Sequence, residues 1–172
     1  MKMILSLILI ASGGAVGYLK SRMYQNRLLH LQELSAAFRR VETEMAYRKD
    51  PLVKIFRRIG MRRSDDAERF FFDAALRLEN SNENLEQIWR EALFSIYAGN
   101  GKSMTDEDLE FLQRFGAILG QTDVFHQKLH FTELQSELEF REEEAKQEIA
   151  IRGRVCRGLY LAVSAAGAIL LF

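Results

Sequence analysis

The residues that could do chemistry fall into a few groups, and each can be tested against the spacing its chemistry demands. Gly99-Asn100-Gly101-Lys102-Ser103 carries the Gly-Lys-Ser end of a phosphate-binding loop. The full loop needs a glycine where Ile96 stands and a strand in front of it. The apolar spacing before Gly99 is helical, so the run reads as a glycine-rich connection between helices. His126 and His130 stand at i, i+4 and share a helix face. Gln127 occupies the place where a zinc-protease motif needs its glutamate, and Glu133 or Glu137 is the nearest third ligand among many carboxylates. A di-iron bundle needs two Glu-x-x-His motifs, and Asp123-x-x-His126 is the nearest match. Cys156 is the single cysteine; it has no obvious partner histidine and reads as a small apolar residue. No catalytic, cofactor-binding or metal-ligating set emerges, and no enzyme or cofactor is expected.

Two charged runs could instead meet a partner. Arg57, Arg58, Arg62 and Arg63 form a basic group, and Glu142, Glu143 and Glu144 an acidic one. The basic group suits an acidic partner, nucleic acid or anionic lipid; its plainer reading is a solvated face or a contact with the acidic last helix. The triplet Phe70-Phe71-Phe72 covers more than one helix face. Either all three rings pack inward or at least one faces solvent or a partner.

The elements that must position these groups follow from length and charge. The chain has 172 residues, 24 Lys+Arg against 24 Asp+Glu, one proline and one cysteine. Scarce proline favours long helices, and a lone cysteine excludes a disulfide scaffold. Zero net charge argues against a strongly basic nucleic-acid binder. The charge is segregated, however: residues 20–63 carry net +8 and residues 64–150 net −12.

Hydrophobicity is segregated as well. Residues 3–19 and 158–172 contain no charged side chain. As helices they would be about 26 and about 22 Å long at 1.5 Å per residue, the short end of a membrane span. For the first stretch, a cleaved signal peptide ending near Ala11-Ser12-Gly13 and a buried core helix are the alternatives. The apolar run continues past that site to Leu19, which favours an uncleaved anchor. Lys20, Arg22 and Arg27 follow the first stretch and Arg152, Arg154 and Arg157 precede the second. The positive-inside rule then puts the middle of the chain in the cytoplasm. The expected organisation is a transmembrane helix at 1–19, a cytoplasmic domain at 20–157 and a second transmembrane helix at 158–172.

Within the middle domain every apolar pattern has helical spacing. Tyr24, Leu28, Leu31, Leu34, Phe38, Val41 and Met45 form one seam, ended at Asp50-Pro51. Pro51 opens a short helix closed by Gly60. Ser64-Asp65-Asp66 and Thr105-Asp106-Glu107-Asp108 are helix starts. Leu85, Ile88, Trp89, Ala92, Leu93 and Ile96 form one face, and Leu109, Leu112, Phe115 and Leu119 another. Phe131, Leu134, Leu138, Ala145 and Ile149 line a final helix. The predicted fold is all-α: a membrane-anchored bundle whose two long helices, at 20–49 and 123–157, run into the terminal spans.

Several of these residues form a recognisable pattern. Leu112-x-x-Phe115-Gly116-x-x-Leu119-Gly120-x-x-Asp123-x-x-x-Gln127 resembles a stretch of the stage III sporulation protein AB family of endospore-forming bacteria. Leu34 through Leu52, with Glu42-Thr43-Glu44, Tyr47 and Pro51-Leu52, also resembles that family, as does Trp89-x-x-x-Leu93. Where the family usually has Tyr-Gly-x-Thr-Pro-Leu, this chain has Arg48 and Asp50 in place of the Gly and Thr. The resemblance implies a non-catalytic platform protein, similar to the inner-membrane platform of type II secretion and type IV pilus machines. It would sit in the mother-cell membrane facing the forespore, in the complex that links the two cells. Implied partners are membrane lipid and the other stage III A-operon proteins, AA to AH, including a secretion-type ATPase. The forespore protein Q and further copies of the chain are also implied. A secretion or pilus platform outside sporulation is the alternative, with a membrane-anchored enzyme behind it. On the residues alone, Gly116 permits a close helix approach, Gly120 ends one helix and Asp123 caps the next.

Overall fold

The computed structural model describes residues 2–47, 50–81, 83–98, 103–119 and 129–151, with side chains from residue 21 onward. Among the described residues all regular structure is helical: α1 (Lys2–Tyr47), α2 (Leu52–Ile59), α3 (Asp66–Asn80), α4 (Leu85–Tyr97), α5 (Asp106–Leu119) and α6 over 129–151. The expected all-α class therefore holds. Among the same residues, no helix is long and apolar enough to cross a membrane. The stretch at 158–172 lies outside the described residues. The stretch at 3–19 falls in the beginning of α1.

α1 contains 46 residues, which at about 1.5 Å per residue makes a rod of about 70 Å. Its seam runs as the spacing predicts, with Leu31, Leu34, Phe38 and Val41 completely buried. Pro51 is the N-cap of α2 rather than its first residue, and its carbonyl accepts from Lys54 and Ile55 N–H. Gly60 closes α2 against α3, so near that an added Cβ would sit 2.5 Å from the Phe72 backbone nitrogen. Arg63 follows with a φ of 51°, the left-handed region that costs a branched-out side chain most. Its guanidinium lies 3.9 Å from the Phe72 ring centroid, a cation–π contact that helps hold the turn. The phenylalanine triplet is thereby resolved: Phe70 and Phe71 are buried, and Phe72 is half-buried beneath Arg63.

Helices α2 to α5 fold back on one another in sequence, and α2 and α3 pack on α1. α6 lies antiparallel along α1: Arg39 meets Glu139, Ser35 meets Gln135, and Arg27 meets Glu144 and Glu148. The opposite charges of the two halves of the chain are thus joined helix to helix. Their common core is aromatic. The Trp89 indole is edge-on to Phe70 at 4.7 Å, and Phe38, Phe56, Phe71 and Phe115 surround it. Edge-to-face pairs of this kind add about 1 kcal/mol each beyond the area they bury.

Candidate interaction site

Where α1, α5 and α6 meet, the apolar seam is interrupted by charge. Thr105 caps α5: its hydroxyl accepts the Asp108 N–H at 3.1 Å, and the Asp108 carboxylate accepts the Thr105 N–H at 3.1 Å. This is a capping box with aspartate in the third position. The same carboxylate, wholly buried, also accepts from Arg27 Nε at 2.8 Å, Arg27 Nη2 at 3.0 Å and Arg141 Nη1 at 2.9 Å. Burial by itself would raise its pKa. Arg27, the Thr105 N–H and Arg141 outweigh that and hold it below the ordinary carboxylate value. Arg27, itself only 3% exposed, is bonded first by Asp108 and then by Glu144 and Glu148, which together keep it firmly protonated against burial.

Arg27 is therefore an internal tie between three helices, although in sequence it reads as part of the basic flank of the first apolar stretch. Asp108 reads as a first-turn acid, and Arg141 carries no sequence expectation at all. A signal was present. Arg141 stands between Leu138 and Ala145 at seam spacing, and Arg27 stands four residues before Leu31. Charge at a core position of two helices asks for a buried counter-ion.

The network borders a groove. Phe111, Arg114, Phe115 and Ile118 of α5 face His130, Glu133, Leu134 and Glu137 of α6 around a space of about 370 Å³. Both rows have i, i+3, i+4, i+7 spacing, so each is one face of its helix. Arg141 connects groove to network: it pairs with Glu137 at 2.8 Å, lies 4.9 Å from the Phe111 ring and bonds Asp108. The groove has an apolar floor and a charged rim, and among the described residues no nucleophile–base pair lines it.

The residues singled out from sequence distribute as follows. Leu112, Phe115, Gly116 and Leu119 form the buried face of α5, and Trp89 of α4 is seated on them. The indole N–H donates to the Leu112 carbonyl at 2.9 Å. A Cβ on Gly116 would sit 2.2 Å from Trp89 Cδ1, so the expected close approach is a helix–indole contact. Gly120, Asp123, His126 and Gln127 lie outside the described residues, as do residues 99–102 and Cys156. Arg57 pairs with Glu79 of α3, and Arg58 with Glu44 of α1 and with Asp50. Arg62 is exposed. On α6, Glu142 is half-buried, Glu143 pairs with Lys146, and Glu144 belongs to the Arg27 network. Among the described residues no group of His, Cys, Asp and Glu is placed to hold a metal ion.

Comparison with known proteins agrees with this architecture. The family model described as stage III sporulation protein AB matches residues 2–172. The chain is similar to "Stage III sporulation protein AB" of Bacillus subtilis (strain 168), 21% identical over 159 residues, covering 92% of each chain. A solved structure described as stage III sporulation protein AB shares its fold, with a TM-score of 0.64 at 23% identity. That match covers 72% of this chain and 96% of the other.

Proposed function

The chain belongs to the stage III sporulation protein AB family and so serves sporulation; from that premise we propose that it is a non-enzymatic platform component of the channel complex between mother cell and forespore. In this reading residues 1–19 and 158–172 anchor it in the mother-cell membrane. The bundle at 20–157 faces the cytoplasm and docks other stage III A-operon proteins, including a secretion-type ATPase.

The observation that carries the reading is the antiparallel pairing of α1 with α6. Glu148 is beside Arg27, so α6 runs toward the end of the bundle where α1 emerges from its apolar stretch. Two apolar segments attached at one end of a bundle can enter one membrane together. The basic residues that flank both segments suit anionic headgroups on the bundle side. The α5–α6 groove supplies a docking face of the kind such a scaffold needs.

The test is direct binding of the full-length chain, in detergent, to the purified secretion-type ATPase. Binding that weakens at least about tenfold in a Glu133→Lys, Glu137→Lys double variant, a change of about 1.4 kcal/mol, supports docking at the groove. Unchanged affinity moves the docking face elsewhere. No binding by the parent chain removes the ATPase from the proposal.

A further inference from the structure

Between α1 and the α3–α4 pair lies a second polar cluster that neither the ion network nor the groove uses. His30 and Glu33 come from α1, Asp65 and Asp66 from the start of α3, and Tyr97 from the end of α4. The His30 Nδ1 lies 3.7 Å from Glu33 Oε2 and 3.6 Å from Asp66 Oδ2, beyond hydrogen-bond distance of both. The His30 ring is edge-on to Tyr97 at 5.5 Å. Three buried polar atoms in this small space have no hydrogen-bond partner: His30 Nδ1, Glu33 Oε2 and the Tyr97 hydroxyl. Tyr97 is only 4% exposed. Buried polar groups are nearly always paired, and several orphans in one place call for an explanation.

The charges explain it. The Asp66 backbone N–H favours the charged form of Glu33, so this carboxylate faces the N-terminus of α3. Asp65 is engaged as the N-cap of α3, accepting the Glu68 N–H, and Asp66 is held by Arg69 on its outer side at 3.2 Å. Three carboxylates therefore converge on the imidazole, with Arg69 on the outer side of Asp66. With Glu33 protonated, its carboxyl is a donor among these acceptors. Without that proton, like charges face each other across a half-buried seam.

We infer that His30, Glu33, Asp66 and Tyr97 form a proton-operated latch, which clasps α1 to the α3–α4 pair when protonated and loosens as the proton leaves. Burial first, then Asp65, pushes the Glu33 carboxyl above its ordinary value of 4.5, while His30 opposes the shift. The sign follows: a raised folded-state pKa contributes stability that is complete below about 4.5 and is lost as pH rises through the folded value. The latch lies 11 residues beyond Leu19 on α1, about 16 Å along the helix. The grip of the bundle on its first helix thus responds to the pH around it, whether or not residues 3–19 enter a membrane.

Amide exchange of the full-length chain in detergent, between about pH 5 and about pH 8 and corrected for intrinsic rates, tests this. In the parent chain the opening constant of amides in 28–36 and 94–97 should rise about threefold or more across that range, part of the contribution being already lost by pH 5. Amides of α5 serve as the internal reference and should not follow. Glu33→Gln keeps the side-chain size and removes the titration, so its opening constants should stay flat. A flat parent profile, or an equal rise in Glu33→Gln, would overturn the latch.

Discussion

Asp108 is a first-turn acid that lies on the buried face of α5 with Leu109, Leu112 and Phe115. Its ionisation is enforced by two arginines, and removing one member of such a group costs far more than the group contributes over an apolar replacement. Asp108→Asn keeps the shape but leaves Arg27 and Arg141 buried with less opposing charge. It should cost about 3 kcal/mol, read as a lowered urea midpoint at neutral pH. Because the folded carboxyl lies below its ordinary value of 3.8, its contribution is complete above that value and is lost as pH falls through the folded one. The variant should therefore also lose part of the acid limb of the stability profile. The Arg39–Glu139 pair makes the contrast: its side chains are 60% and 62% exposed, and solvent screens it to a small fraction of a buried tie. Glu33, by opposite logic, makes the bundle less stable as pH rises, so the two clusters bound a stability maximum from either side.

At the scale of elements, α4 and α5 meet through a tight contact of indole on glycine. The Trp89 ring is laid over Gly116 and tied to the Leu112 carbonyl, which explains physically why tryptophan, leucine and glycine occur together here. A rigid indole cannot yield as a long side chain can. Gly116→Ala should thus destabilise by about 2 kcal/mol through overpacking, despite the better helix propensity of alanine. Thermal unfolding would check it, and an unchanged or raised midpoint would refute the contact. The helices themselves were largely legible in the sequence, since each seam has a period near 3.6. The apolar face of α3 was legible only in part: Phe70, Phe71 and Ala75 are on it as the spacing gives, Ala67 and Ala74 complete it, and Leu76 is 38% exposed. Small residues bury as completely as large ones but give a weaker periodic signal. The α5–α6 groove was not legible, because both of its rows look like ordinary amphipathic faces until the helices are set side by side.

For the whole molecule, the pairing of α1 with α6 decides where the two ends of the bundle point. If both apolar stretches enter one membrane from that end, a reporter inserted near residue 100 should score as cytoplasmic and one fused after residue 172 as extracytoplasmic. The reverse pattern would overturn the orientation. Sequence by itself determined the helical class, the positions of most helices, the segregation of charge and the family pattern around Phe115 and Gly116. These are local or periodic properties, written within a few turns of chain. Tertiary structure decided which opposite charges meet, because contacts such as Arg27 with Asp108 span 81 residues of sequence and leave no periodic trace. It also turned a basic residue that looked like a membrane flank into a core tie, and placed His30, Glu33, Asp66 and Tyr97 together. A buried charge is recognisable in sequence only as an oddity on an apolar face; its partner is chosen by the packing of helices.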